Sequence, residues 1–344
     1  MNQRKPPGDD AFADYDATLA RASADDPWRH ERGEQPVYEP DARLVEKLLS
    51  IPVAAGSAAT TGRFAKGIDA WIAHELRRCG FGADEVWPRA TRPRVLPRDV
   101  AVLLEHLPKK LADDVAARLP GIPAIAPSDA RVLGRAYDKQ VDVCLARWDR
   151  GPEILISTKS QLSSFAKNLP NRFEEAYGDA GNLRARHPLA AVGFFFVQRA
   201  TVRECEPDAY ERAIDMVRKL RDAGPHLGAN GYTATALMLV DWDDADAPAL
   251  SAVDDDGARA SRRTRPGQVR VVTEGVPDDV GPAQFFTRIV DHVLAATPVQ
   301  HHVEVRRRRE RRPIPVVEAD VRAAAPPGQP APEPEMTAEL FSLG

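Results

Sequence analysis

Asp142 alternates with apolar neighbours in the run VDVCL, Lys159 ends an ILISTK run seventeen positions later, and Glu174 and Glu175 open the next helical segment. Together these residues form a donor set for phosphodiester hydrolysis. That reaction needs a divalent metal to stabilise growing charge and lower the pKa of an attacking water, and carboxylates on neighbouring strands supply hard oxygen ligands for Mg²⁺. A lysine beside them can orient or help deprotonate the water. The plainer alternative is a solvent-facing Asp142 in an alternating strand and an ordinary strand-end cation at Lys159. Glu174 also has two roles open to it. Asn171-x-x-Glu174 after Pro170 reads as a capping box at a helix start, which would occupy this carboxylate. Glu175 lies about 100° further round a helix of 3.6 residues per turn, which suits a solvated surface position.

These residues have to be held by secondary structure, and the chain carries its signals. Phe64, Ile68, Ile72, Leu76 and Cys79 recur at helical spacing up to Gly80. A second helical run spans about Val100 to Leu119 and is broken by Pro108. Val141 to Ala146 and the run ending at Thr158 form a hairpin across Asp149-Arg150-Gly151-Pro152. A polar connection, SQLSSFAKNLPNRF, leads to a helix marked by Phe173, Ala176, Tyr177 and Ala180 and closed by Pro188. The unbroken apolar run LAAVGFFFV then fits a strand buried on both faces. A helix from about Pro207 to Asp222, the strand YTATALMLV and a helix from Gln284 to Ala296 follow. This order predicts an α/β fold with a central mixed sheet flanked by helices.

The rest of the sequence narrows the class. Residues 1–40 hold five Lys/Arg against nine Asp/Glu among several prolines, so positions 1–50 read as a disordered acidic tail. Residues 51–298 read as one domain with its core at about 62–242 and an acidic loop at 241–257 that contains seven Asp. Residues 299–344 read as a basic, then Pro-rich tail with RRRRERR near its start, and His301-His302 as solvated. No apolar run is long enough to span a bilayer and no signal peptide is legible, which points to a cytoplasmic protein with no membrane partner. Cys79, Cys144 and Cys205 are neither a disulfide framework nor a zinc set. No P-loop and no G-x-S-x-G elbow is present. The net charge of −4 hides a basic middle: Arg131 to Arg199 holds eleven Lys/Arg against seven Asp/Glu.

VDVCLARWDRGPEILISTKS, then a helix and the strand AAVGFFFV, resembles the PD-(D/E)XK nuclease superfamily, in particular its restriction endonucleases. The resemblance implies an αβββαβ core and Mg²⁺-dependent (or Mn²⁺-dependent) cleavage of double-stranded DNA, in a restriction or phage-defence setting. Carried over, Asp142 binds the metal and Lys159 is the motif lysine. Val141 stands where the motif has proline, and Ser157 stands at the acidic position of the triplet Ser157-Thr158-Lys159. A subset of these enzymes carries the same Ser-x-Lys and supplies the carboxylate from the following helix, which implies Glu174 or Glu175 as a ligand. The resemblance also makes Glu75, from the first helix, a plausible further ligand, against an ordinary surface glutamate beside Arg78. Gln161, Ser163, Ser164, Lys167, Asn168, Asn171 and Arg172 in the polar connection are DNA-contact candidates, and the alternative for them is a turn-capping loop. Related enzymes act as homodimers, and a cognate methyltransferase or other defence subunits are implied partners. The alternative function is a catalytically degenerate nuclease fold that binds DNA or a protein without cutting.

Overall fold

The computed structural model describes residues 10–31, 34–57, 62–221, 231–243 and 267–311. Its helices are α1 (Asp16–Leu19), α2 (Ala42–Ala54), α3 (Arg63–Arg78), α4 (Arg98–His106), α5 (Lys109–Arg118), α6 (Phe165–Arg184), α7 (Val202–Cys205), α8 (Pro207–Leu220), α9 (Pro282–Ala296) and α10 (Val303–Glu310). Its strands are β1 (Trp28–Arg29), β2 (Val37–Tyr38), β3 (Val86–Trp87), β4 (Ala130–Leu133), β5 (Asp138–Val141), β6 (Val143–Arg147), β7 (Gly151–Gln161), β8 (Ala191–Arg199), β9 (Ala234–Asp241) and β10 (Arg270–Val272). Six strands form a mixed sheet in the order β10-β9-β8-β7-β6-β3, and β1–β2 and β4–β5 are separate two-stranded pairs. Within the sheet β7, β8 and β9 run parallel, and the other neighbours are antiparallel. The chain therefore has the α/β class and the mixed, helix-flanked sheet that its hydrophobic pattern predicts.

The period of two along each strand divides the core. Ile154 and Ile156 of β7, Phe195 and Val197 of β8, and Ala236 and Met238 of β9 face α3 and α9. Their neighbours Leu155, Phe194, Phe196, Leu237 and Leu239 face α6 and α8. Each strand residue thus belongs to one of two helical layers. In β8 a Cβ on Gly193 would stand 2.8 Å from the Phe285 ring, so glycine is what lets α9 lie this close.

Three expectations change. First, residues 10–50 are packed. Tyr15, Trp28 and Tyr38 are buried, the Tyr15 hydroxyl donates to Arg63 O at 2.5 Å, and Arg94 binds both Asp10 and Asp16. Up to Pro40 the apolar residues are too sparse to make a period, yet Tyr15, Trp28 and Tyr38 dock on the main core; Leu44, Val45, Leu48 and Leu49 of α2 do recur at helical spacing, and Asp10, Asp14 and Asp16 pair with distant arginines. Positions 1–9 lie outside the described residues. Second, the basic run after 299 is a docked helix. Val305 is buried, Arg306 donates to Leu294 O and Thr297 O at 2.6 and 2.7 Å, and Arg308 donates to Arg78 O at 2.6 Å. The arginines cap the open carbonyl ends of α9 and α3. His302 is not solvated: its Nε2 lies 2.9 Å from Glu153 Oε1. Residues 244–266, which include most of the acidic loop 241–257, and the tail 312–344 lie outside the described residues. Third, α6 begins at Phe165, so no capping box forms at Asn171. The cap comes from elsewhere in the chain: the Glu206 carboxylate accepts from Phe165 N and Ala166 N at 3.1 and 2.6 Å.

Candidate active site

The strand alternation of β7 governs the site. Thr158 points toward the α3 layer, and Ser157 and Lys159 toward the α6 layer, because successive side chains alternate. Asp142 occupies the break between β5 and β6; its N–H donates to Ile156 O at 3.0 Å, and its Oδ2 accepts from Thr158 N at 2.8 Å. From the opposite layer, Asp69 on α3 accepts the Thr158 hydroxyl at 2.6 Å. The two carboxylates therefore meet on one threonine. Lys66, one turn before Asp69, donates to it at 3.2 Å. On the other face Lys159 Nζ donates to Glu175 Oε1 at 2.7 Å, and Arg172 donates to the same carboxylate at 3.3 Å. Lys139 of β5 pairs with Asp179 of α6, whose Oδ1 also accepts from the Tyr137 hydroxyl at 3.1 Å.

Burial sets the electrostatics. Asp69 is fully enclosed, and this loss of water, reinforced by the charge of Asp142, raises its carboxyl to about 7 against the attraction of Lys66. Burial also raises Asp142, partly offset by the Thr158 N–H and by Lys66, Lys159 and Lys139. Burial thus makes both carboxyls harder to ionise, and the charge of Asp142 adds to the rise of Asp69. Burial would raise Glu175 too, but Lys159, Lys139 and Arg172 outweigh it and hold that carboxylate below its usual range. Three lysines from α3, β5 and β7 thus surround one carboxylate, Asp142.

The remaining sequence candidates divide. Glu174 is exposed on α6 and Ser157 is buried at 3%. Glu75 stands apart from the site: six residues beyond Asp69, it lies about 9 Å along the helix axis and about 240° round it. Its carboxylate binds Arg78 at 2.8 Å, Tyr38 at 2.6 Å and Asp41 N at 3.1 Å, which makes it a structural anchor for the N-terminal segment. Gln161 is also structural, since it donates to Phe165 O at 2.8 Å and accepts from Gln198 at 2.9 Å. Ser163, Ser164, Lys167, Asn168 and Asn171 are exposed around the start of α6, and Arg172 is half-buried on Glu175. The helix N-terminus there is no free phosphate seat, because Glu206 already fills it. Sequence reasoning missed Asp69, Thr158, Lys66 and Lys139. One signal for Asp69 was present, a lone acid set inside the apolar run GIDAWIA with a lysine three residues before it.

Asp69 and Asp142 offer the hard oxygen donors that suit Mg²⁺, which is commonly held by one or two carboxylates together with waters and substrate phosphates. Among the described residues no group of three or more His, Cys, Asp or Glu is arranged to hold a metal. The donor set fits an open two-carboxylate site and not a closed cage. A separate apolar groove of ≈ 1070 Å³, lined by Val37, Leu239, Val271 and Pro282, includes none of these residues. Among the described residues no helix is long and apolar enough to cross a membrane. Neither family models, curated proteins nor solved structures gave a match to this chain.

Proposed function

We propose that the protein is a Mg²⁺-dependent DNA endonuclease of the PD-(D/E)XK type, hydrolysing phosphodiester bonds in a restriction or phage-defence role. The observation that carries this reading is the meeting of the Asp69 and Asp142 carboxylates on Thr158, the residue next to Lys159. The order α3, β3, β6, β7, α6, β8 supports it, since it follows the αβββαβ sequence expected of such a core, with residues 88–142 inserted between the first two strands. Asp69 takes the part expected of Glu75, and Glu175 serves the lysine.

A divalent ion held by Asp142 and Asp69 would supply positive charge at the scissile phosphate and a water of lowered pKa. The residues do the rest. Thr158 fixes both carboxylates, one through its N–H and one through its hydroxyl. Asp69, whose carboxyl is raised to about 7, gives up its proton near neutral pH and so becomes an anionic donor. Lys159, steered by Glu175, orients the nucleophile or the phosphate on the far side of Asp142. Incubation of supercoiled plasmid with the protein and Mg²⁺ or Mn²⁺ tests this. Cleavage is expected, and Asp142→Asn or Lys159→Ala should reduce it by on the order of 10²-fold or more. Cleavage undiminished in both variants would sink the assignment.

A second reading, a nuclease fold that binds DNA or a partner protein without cutting, draws on Ser157 at the family's acidic position and on Lys159 engaged by Glu175. Tight binding in EDTA with no cleavage in either metal would favour it.

A further inference from the structure

The β4–β5 hairpin was not legible as an element in the sequence, yet it leads directly into Asp142 through Val141. One of its faces is tied down. Asn182 Oδ1 accepts from Ala136 N at 2.8 Å and Asn182 Nδ2 donates to Tyr137 O at 3.0 Å. Gly134 lies so close that a Cβ would fall 2.1 Å from Asn182 Nδ2. His187 Nε2 sits 3.0 Å from Leu133 O, and Tyr137 and Lys139 both reach Asp179. The other face is bare. Arg131 and Arg135 are exposed, and neither side chain makes a hydrogen bond or ion pair among the described residues. Register pairs Arg131 with Gln140 and Val132 with Lys139, so Arg131 lies on the face of the ribbon opposite to Lys139, two positions from the strand end that leads into Asp142.

We propose that this hairpin is a DNA-gripping arm whose Arg131 and Arg135 hold the phosphate backbone of a duplex beside Asp142. The partner class follows from charge and shape. From Ala130 to Val141 the hairpin carries Arg131, Arg135 and Lys139 against Asp138; Lys139 is already paired with Asp179, which leaves the two arginines for an anion, and the anchorage means that little ordering is needed on binding. Tyr137 is turned to the α6 side with its hydroxyl on Asp179, so the bare face offers no aromatic platform for unpaired bases. Backbone contact to a duplex is what remains.

The choice of DNA rests on the nuclease reading, but the test separates the two. Binding of a short labelled duplex is measured by fluorescence anisotropy in EDTA between about 50 and about 200 mM salt. The Arg131→Gln/Arg135→Gln double variant should keep the wild-type thermal midpoint, since both side chains are unpartnered, and lose affinity. The slope of log K against log salt should fall by about 1.8, two contacts at about 0.9 each. Arg212→Gln, an exposed change on α8, should leave both quantities alone. An unchanged slope in the folded double variant overturns the arm, as does tighter binding of a single strand of equal length. A slope change without cleavage in any metal keeps the arm and removes the nuclease reading. Cleavage with an unchanged slope does the reverse.

Discussion

Asp69 is fully buried and yet titrates near neutrality, because burial and then the charge of Asp142 raise its carboxyl from 3.8 to about 7. The folded chain therefore keeps a proton that the unfolded chain has lost. That contribution to stability is complete below the unfolded value and is lost as pH rises through about 7. The urea midpoint should accordingly fall between pH 5 and pH 8, and in Asp69→Asn, which cannot ionise, this fall should shrink. A fall of the same size in the variant would show that the dyad does not titrate in this range. Under the proposed function Mg²⁺ should compete with the Asp69 proton, so its stabilising effect should be larger at pH 8 than at pH 5 and should vanish in Asp142→Asn. Thermal melts with and without the ion read this directly, whether or not the protein cleaves anything.

At the scale of elements, α6 sets where Glu175 and Asp179 stand, and so where Lys159 and Lys139 point. Its start depends on a residue forty positions away: Glu206 holds the Phe165 and Ala166 N–H groups. Glu206→Ala leaves both donors without that acceptor and should cost about 1–2 kcal/mol, read as a shift in the denaturation midpoint. Amide exchange at Phe165 and Ala166 should speed up before that of the β8 amides; equal protection in wild type and variant would refute the cap. The local sequence pointed instead to Asn171, the better capping residue by type. A tertiary carboxylate and the burial of Phe165 and Leu169 outweigh that local preference and carry the helix through Pro170.

For the whole molecule, the segment from Trp28 to Tyr38 and α10 close over the α3 and α9 layer. Trp28 and Tyr38 pack edge to face at 5.1 Å, Tyr38 stacks on Phe286 at 5.0 Å, and the Arg309 guanidinium lies 4.5 Å from the Trp28 ring. A chain ending at Pro298 should therefore be less stable than one ending at Arg311 by about 2–4 kcal/mol, since it uncovers Val305's site and frees the last carbonyls of α9 and α3. Equal unfolding midpoints for the two chains would show that α10 is an appendage. The sequence alone determined the α/β class, the β6–β7 hairpin, the buried β8 strand and the placing of Asp142 beside the strand that carries Lys159, because each is written in local periodicity or in a short motif. Residues 10–50 and α10 were misread as tails, since the buried residues up to Pro40 and in α10 have no period and their charges find partners only across the fold, while the helical spacing of Leu44, Val45, Leu48 and Leu49 was passed over. Only the tertiary structure decided that Asp69, not Glu75, faces Asp142: the turn of α3 against β7 selects which carboxylate reaches Thr158. Only the alternation of β7 within a three-layer packing sent Lys159 to Glu175 while the Thr158 hydroxyl met Asp69 on the other side.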